Sequence, residues 1–263
     1  MDAFLVRLLL SFVTGGAWVM ATTVAAEKLG PRLGGLLSGL PTTALVSIIF
    51  IGWSQNVEAA AQAAVMVPAT MGLNTVFLLV YAALSSKGMV IAVFSALLVW
   101  VLSAMVLAAL RLSDIFSSTL LFVTLASSSI ILFERWVRVG TQKVSSLNLG
   151  AGQLLGRGIF AGIIIASAVY LTRVAGPWLG GLFSAFPATY LSIIVIFGRQ
   201  HGSLIGRAMV RSMVVASTAI SVFGVVTHLG LTALGLGPGI ALGYACSLVV
   251  VIFLMASMGR PRR

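Results

Sequence analysis

The chain has 263 residues, enough for one large soluble domain or two ordinary ones. Hydrophobic residues make up 60 % and charged ones only 8 %, against roughly 25 % charged in a globular domain. So few charges cannot cover the surface of a soluble globule, and the net charge of +11 needs no nucleic acid beyond the basic bias of cytoplasmic loops and contact with anionic headgroups.

The apolar runs, in chain order, are Phe4–Ala26, Leu33–Trp53, Ala59–Leu84, Met89–Leu110, Ile115–Phe133, Leu154–Thr172, Leu179–Phe197, Leu204–Thr227 and Gly237–Met258. Each is continuous and about 20 residues long, the length of a helix crossing ~30 Å of hydrocarbon. An outer-membrane barrel would show short alternating strands instead. The first run could pass for a signal peptide. Because the second half carries an equivalent run before the same motif, it reads as part of the fold.

Numbering the loops alternately sorts the basic residues. One side receives Lys28, Arg32, Lys87, Arg135, Arg138, Lys143, Arg157, Arg199, Arg207, Arg211, Arg260, Arg262 and Arg263; the other receives only Arg7, Arg111 and Arg173. Positive charge collects in the cytoplasm. The split therefore predicts nine spans in a cytoplasmic (inner) membrane, with the N-terminus outside and the C-terminus inside.

The second run carries "GPRLGGLLSGLPTTALVSIIFIG" at 30–52, and the seventh carries "GPWLGGLFSAFPATYLSIIVIFG" at 176–198. Twelve of these 23 positions are identical without a gap, at an offset of 146. One span precedes each copy and two follow it. Residues 1–110 are thus a first four-span repeat, 111–149 a linking transmembrane helix with a cytoplasmic loop, and 150–263 a second four-span repeat. The single linking crossing turns the second repeat upside down, the architecture of many secondary transporters. The expected fold is all-α: nine transmembrane helices as two inverted four-helix repeats, with a proline-broken helix in each. The serine-rich linking span suits packing between helices better than facing lipid.

Pro41 and Pro187 each fall about eight residues into a span, ~12 Å deep at 1.5 Å per residue, near the midplane of the core. Proline donates no N–H, so the carbonyls four residues back, on Leu37 and Phe183, lose their partners. In hydrocarbon these must be met by side chains, water or a ligand. Ser38, Thr42, Thr43, Ser184 and Thr189 surround the two breaks and would make a neutral polar, substrate-binding pocket. The alternative is a structural kink compensated locally. The glycine pairs Gly35/Gly39, Gly158/Gly162 and Gly239/Gly243 read as close helix contacts.

The acidic residues Asp2, Glu27, Glu58, Asp114 and Glu134 all lie at expected helix ends, which leaves no mid-span carboxylate for a proton relay or for paired-carboxylate catalysis. His201 and His228 flank the eighth span, and the lone Cys246 can build neither a disulfide nor a metal pair. No triad order, HExxH or phosphate loop occurs. The sequence therefore predicts no enzyme, no cofactor, no metal and no nucleic-acid partner. Arg207 and Arg211 share one face of the eighth span, either snorkelling to headgroups or forming a vestibule for an anion. Asn74, deep in the third span, is a further polar candidate, or simply an interhelical hydrogen bond.

The stretch "GGLFSAFPATYLSIIVIFGRQHG" followed by two apolar spans resembles the GlpM-like family of small four-span bacterial inner-membrane proteins, which carry an "AGL…FPTF" type element at that place. The likeness covers about 110 residues of the second half, and the first half more loosely through "GGLLSGLPTTA". On that resemblance the chain is a tandem-duplicated relative with an extra span. The resemblance implies an envelope context linked to exported polysaccharide and lends no catalytic residue.

Three functions remain open on this reading. The first is a transporter or lipid-carrier flippase for an anionic small molecule or lipid phosphate. The second is a non-transporting accessory subunit of an envelope or polysaccharide synthesis complex, and the third a passive channel. Membrane lipids are the expected partners, and a homo-oligomer is compatible with each.

Overall fold

A computed structural model describes residues 2–28, 39–110, 112–137, 150–201 and 203–258, with side chains described except at 26–28, 136, 137, 197, 200, 201, 203–208, 255 and 258. The described residues form helices α1 (Ala3–Lys28), α2 (Thr42–Ser54), α3 (Val57–Leu84), α4 (Met89–Leu110), α5 (Ile115–Leu132), α6 (Ala151–Ala175), α7 (Pro177–Ser184), α8 (Ala188–His201), α9 (Ser203–Leu234) and α10 (Leu236–Met258). They include no strand. Helices satisfy their backbone groups internally, which a segment in hydrocarbon must do.

Helix boundaries follow local chemistry. Asn56 accepts from the Ala59 N–H at 2.7 Å and starts α3, and Asp114 accepts from the Ser117 N–H at 2.7 Å and starts α5. Gly176, at φ +98°, ends α6 in a conformation that a side chain would resist, and Pro177 opens α7 at the position where its missing N–H costs nothing. Arg7 lays its guanidinium on the carbonyl end of α2, with Nη1 2.9 Å from the Trp53 oxygen. A cation there both bonds the last carbonyls and faces the negative end of the helix.

The central helix is α3, buried along most of its length, and it packs on α9, α5, α4 and α7. Helices α1, α4, α5 and α10 surround it and turn large apolar side chains outward, among them Val90 at 76 % and Phe116 at 74 % exposed. An apolar surface of that extent belongs in lipid. The protein is a multi-pass transmembrane helical protein.

Eight helical segments among the described residues are long and apolar enough to cross a membrane, rather than nine. The second expected span is the exception. Its described helical part, α2, has 13 residues, or about 20 Å at 1.5 Å per residue, too short for a ~30 Å core. The remainder of that run lies outside the described residues. The seventh span is divided as the proline predicts, into α7 and α8. The eighth runs to Leu234 rather than Thr227, so His228 is not at its end. It lies inside the helix, half-buried, with Nδ1 2.8 Å from the Ala61 carbonyl oxygen.

Two pairs of helices run antiparallel. On α1 and α6, Phe12 lies against Gly162, Gly16 against Gly158, and the Arg173 guanidinium 4.1 Å from the centre of the Phe4 ring. On α3 and α9, Val67 and Pro68 lie against Gly224, and Ala61 against His228. The Gly158/Gly162 pair does bring α6 close to α1, and Gly239 and Gly243 bring α10 onto Gly230 and Thr227 of α9. The Gly35/Gly39 pair includes Gly35, which lies outside the described residues.

The linking helix α5 turns Ser118, Phe122, Ala126 and Ser129 inward as a buried stripe against α3. Pro68 interrupts α3 opposite this stripe. There the Ser118 hydroxyl accepts from the Ala69 N–H at 3.0 Å and donates to the Val65 carbonyl. It thereby replaces a rung of the helix ladder with a side chain from another helix. About three turns further along α5, Ser129 donates to the Thr75 hydroxyl at 3.2 Å.

Candidate functional site

Pro187 sits at a break between α7 and α8, and Pro41 stands immediately before the start of α2 rather than inside it. At Pro41 the backbone has φ −77° and ψ 49°, and the Thr42 N–H bonds back to the Leu40 carbonyl at 2.8 Å. That is an inverse γ-turn. At Pro187 the Ala188 N–H bonds to the Phe186 carbonyl at 2.7 Å, the same bond 146 residues later. Leu45 to Pro41 at 2.7 Å and Leu191 to Pro187 at 2.8 Å repeat in the same way and start α2 and α8.

These turns leave unequal remainders of donors and acceptors. A helix begins with four N–H groups that have no intrahelical partner. The first would be the proline's own, which has no N–H, and the γ-turn uses the second. The two left over belong to Thr43 and Ala44 in α2 and to Thr189 and Tyr190 in α8, and none has an acceptor among the described residues. The carbonyl end of α7, by contrast, is satisfied. The Ser184 hydroxyl donates to Gly181 at 2.7 Å, the Phe186 N–H to Phe183 at 3.1 Å, and the Asn74 amide to Ala185 at 2.9 Å. The expected loss at Phe183 is therefore corrected: its carbonyl is bonded locally, and the acceptor reached from outside is Ala185. Leu37 lies outside the described residues.

One cavity joins the two breaks. It is lined by Leu40, Pro41, Thr43 and Ala44 from the first and by Ala185, Phe186, Pro187, Thr189 and Tyr190 from the second, with Met71 and Asn74 of α3 and Ile220 of α9 closing its sides. Ten of these twelve residues form five pairs at the 146-residue offset: Leu40/Phe186, Pro41/Pro187, Thr43/Thr189, Ala44/Tyr190 and Asn74/Ile220. All four residues with spare N–H groups are among them. The volume open to the centre of a water molecule is ≈ 20 Å³, room for about one water.

Asn74 is fully buried and organises one wall. Its Oδ1 accepts from the Trp100 indole at 2.8 Å while its amide donates to Ala185. The Trp100 ring meets Phe186 edge-on at 4.9 Å, and Phe160 of α6 reaches the same Phe186 at 6.2 Å. The amide thus ties α3 and α4 to the second break, which is both an interhelical bond and part of the cavity wall.

Of the other residues singled out from the sequence, Thr42 and Ser184 are buried but do not line the cavity. The Ser184 hydroxyl is taken by its own helix. Ser38 lies outside the described residues, as does the side chain of Arg207. Arg211 is exposed and forms an ion pair with Glu134 at 3.1 Å, away from the cavity. That carboxylate stands just past the end of the linking helix α5. Sequence reasoning passed over Tyr190, Trp100 and Phe186. Tyr190 and Phe186 stood inside the quoted repeat but differ from Ala44 and Leu40 there. Trp100 corresponds to Cys246, so duplication carried no signal for it.

Among known proteins, residues 8–112 match the sequence profile of a family described as a protein of unknown function (DUF3147). The match covers 105 of the 263 residues and names no GlpM-like relative. No curated protein and no solved structure is significantly similar to the chain.

Proposed function

We propose that the protein is a transporter of the cytoplasmic membrane, built from inverted repeats, that carries an anionic substrate through the cavity between its two proline breaks. One observation carries the reading: two helix starts, 146 residues apart in sequence, line a single cavity with the residues whose N–H groups lack an acceptor among the described residues. An N-terminal helix end attracts anions through those donors and the helix dipole. Transporters with inverted repeats hold their substrates at such broken helices.

The inverted arrangement draws support from the contacts. Phe12 against Gly162 and Gly16 against Gly158 exchange with each other under the 146-residue offset, as contacts across a twofold axis must. The axis would lie across the antiparallel α1 and α6, and so in the membrane plane. The profile match at 8–112 spans nearly the same residues as the first repeat. Arg7 and Arg173 lie at one end of the α1–α6 pair, in keeping with the sparsely charged outer side and an outward N-terminus.

Reconstitution in proteoliposomes tests the activity. Saturable anion flux is expected from the wild type and loss of it from Pro41→Ala plus Pro187→Ala; flux unchanged in that variant, or absent from the wild type, overturns the reading. Single cysteines at positions 55 and 201, in a Cys246→Ser background, test the inversion. They should label from opposite sides, and labelling from one side removes the repeat geometry.

A further inference from the structure

A wider space opens farther along two of the helices that build the cavity. Gln62 and Val65 of α3, Leu112 and Ser113 between α4 and α5, and Pro177 and Trp178 at the start of α7 line a cleft. Its volume open to the centre of a water molecule is ≈ 270 Å³, against ≈ 20 Å³ in the cavity. Gln62 and Ser113 are exposed and Val65 is buried, so the cleft has a polar rim over an apolar floor. Helix α3 runs from one space to the other, because its Met71 and Asn74 line the cavity. So does α7: Pro177 and Trp178 open it, and Ala185, Phe186 and Pro187, which line the cavity, follow its last residue. Eight residues, about 12 Å of helix, thus lie between the cleft and the cavity.

Along its length α7 makes no side-chain hydrogen bond to another helix among the described residues; the Ser184 hydroxyl bonds Gly181 of α7 itself. It packs on its neighbours through bare backbone. Gly180 lies against Thr172 and the Ala168 carbonyl of α6, and Gly181 against the Ala63 backbone of α3, each too close for a Cβ. Such contacts lack the interlocking ridges of side chains that resist the sliding of one helix over another. Both ends are turns: Gly176 at φ +98°, a conformation open to glycine, and the inverse γ-turn at Pro187. The polar tie from another helix comes just past the end of α7, where the Asn74 amide meets the Ala185 carbonyl at 2.9 Å.

We infer that α7 is the gate of the cavity. It pivots at Gly176 and Pro187 and shifts between α3 and α6, as hinged segments do around enclosed sites. Its displacement joins the cavity to the cleft, which is the mouth through which the substrate enters. The bond from Asn74 to Ala185 is the latch that holds the gate shut. This inference rests on the reading of the cavity as a substrate site and adds the route by which that site is reached.

Thiol accessibility of the full-length protein in a Cys246→Ser background tests the gate without any substrate. Ser113→Cys, labelled by a membrane-impermeant methanethiosulfonate, identifies the side on which the cleft opens. From that side Ala185→Cys in the cavity should label too, more slowly than Ser113→Cys. Gln62→Trp fills the exposed rim of the cleft and should slow the labelling of Ala185→Cys several-fold. Trp100→Phe deprives Asn74 of the indole that orients it and should speed that labelling by about tenfold, the worth of one hydrogen bond. Thr43→Cys lines the same cavity and serves as the reporter if Ala185→Cys does not fold. No labelling of either cavity cysteine from the cleft side, or a rate indifferent to Gln62→Trp, would overturn the gate; a rate unchanged in Trp100→Phe would remove the latch. Labelling that obeys these expectations without anion flux in liposomes would overturn transport and leave the gate standing. Saturable flux through a protein whose cavity cysteines never label from the cleft side would do the reverse.

Discussion

The two breaks have the same backbone and different walls. Pro41 and Pro187 make the same tight turn and begin their helices with the same bonds. The second break is then fastened by polar and aromatic groups: Asn74 on Ala185, Trp100 on Asn74, and the rings of Trp100 and Phe160 on Phe186. The first meets Asn74 and Phe186 across the shared cavity, without those bonds. Leu40 packs on Ala219 and Val251, and Ile220 stands where Asn74 stands in the other copy. Hydrogen bonds fix one geometry, whereas aliphatic contacts tolerate sliding at little cost. The duplication thus kept the turn that lines the cavity and changed the groups around each turn.

The largest effect is expected from removing the polar fastening. Asn74→Leu leaves the Trp100 N–H and the Ala185 carbonyl buried without partners, each costing roughly 1–3 kcal/mol. Its unfolding midpoint in detergent should fall well below that of Ile220→Leu, which changes the matching position of the other copy. Equal losses would erase the distinction between the breaks.

Next in size is Trp100→Phe, which keeps a ring against Phe186 and orphans only the Asn74 oxygen, at roughly 1–3 kcal/mol. Hydrogen exchange read by mass spectrometry sharpens the comparison. In this variant, amides around 185–191 should open towards the rate of those around 39–45; if the two segments already exchange alike in the wild type, the polar fastening does not restrain the second break.

Smaller again is Ser118→Ala, which takes the bridging hydroxyl out of the Pro68 interruption and leaves the Ala69 N–H and Val65 carbonyl apart. About 1–2 kcal/mol is expected for a buried bond of this kind. Pro68→Ala made on top of it should recover part of the loss by closing the ladder, and no recovery would show that the hydroxyl does not serve the proline. This pair asks whether α3, which carries Asn74, must be held by the linking helix.

The smallest effect concerns Asp114, fully exposed at the start of α5. The Ser117 backbone N–H holds its carboxyl below the ordinary carboxylate range. A lowered folded pKa means stability that is present above the unfolded value and fades as pH falls through the folded one. Asp114→Asn keeps an acceptor at the cap and should flatten that acid-side dependence of the thermal midpoint while leaving both breaks unmoved.

Much of this arrangement was readable in advance because it depends on local or repeated features. Apolar runs of membrane length gave the helical class and nearly every span. The exception was the run holding Pro41, of which the described residues give only the 13-residue helix α2. The offset of 146 pointed to Pro41, Thr43, Pro187 and Thr189, and the structure brings these four to one cavity. Asn74 stood out because an amide deep in an apolar run needs a partner. The partners themselves, Trp100 and the Ala185 carbonyl, are 26 and 111 residues away, and no spacing rule relates them. Arg211 likewise has a distant partner. Its position on one face of the helix suggested a vestibule, and its ion pair with Glu134, 77 residues away, could not be read from any spacing.

By itself, then, the sequence determined the solvent, the helices, the duplication and the prolines just before two helix starts, because each follows from composition, periodicity or the missing N–H of proline. The tertiary structure alone decided which donors were left unused, which carbonyls were already taken, and that the breaks face each other. Those outcomes depend on which distant segments come within hydrogen-bond reach, and that is set by how the helices pack, not by any one stretch of chain.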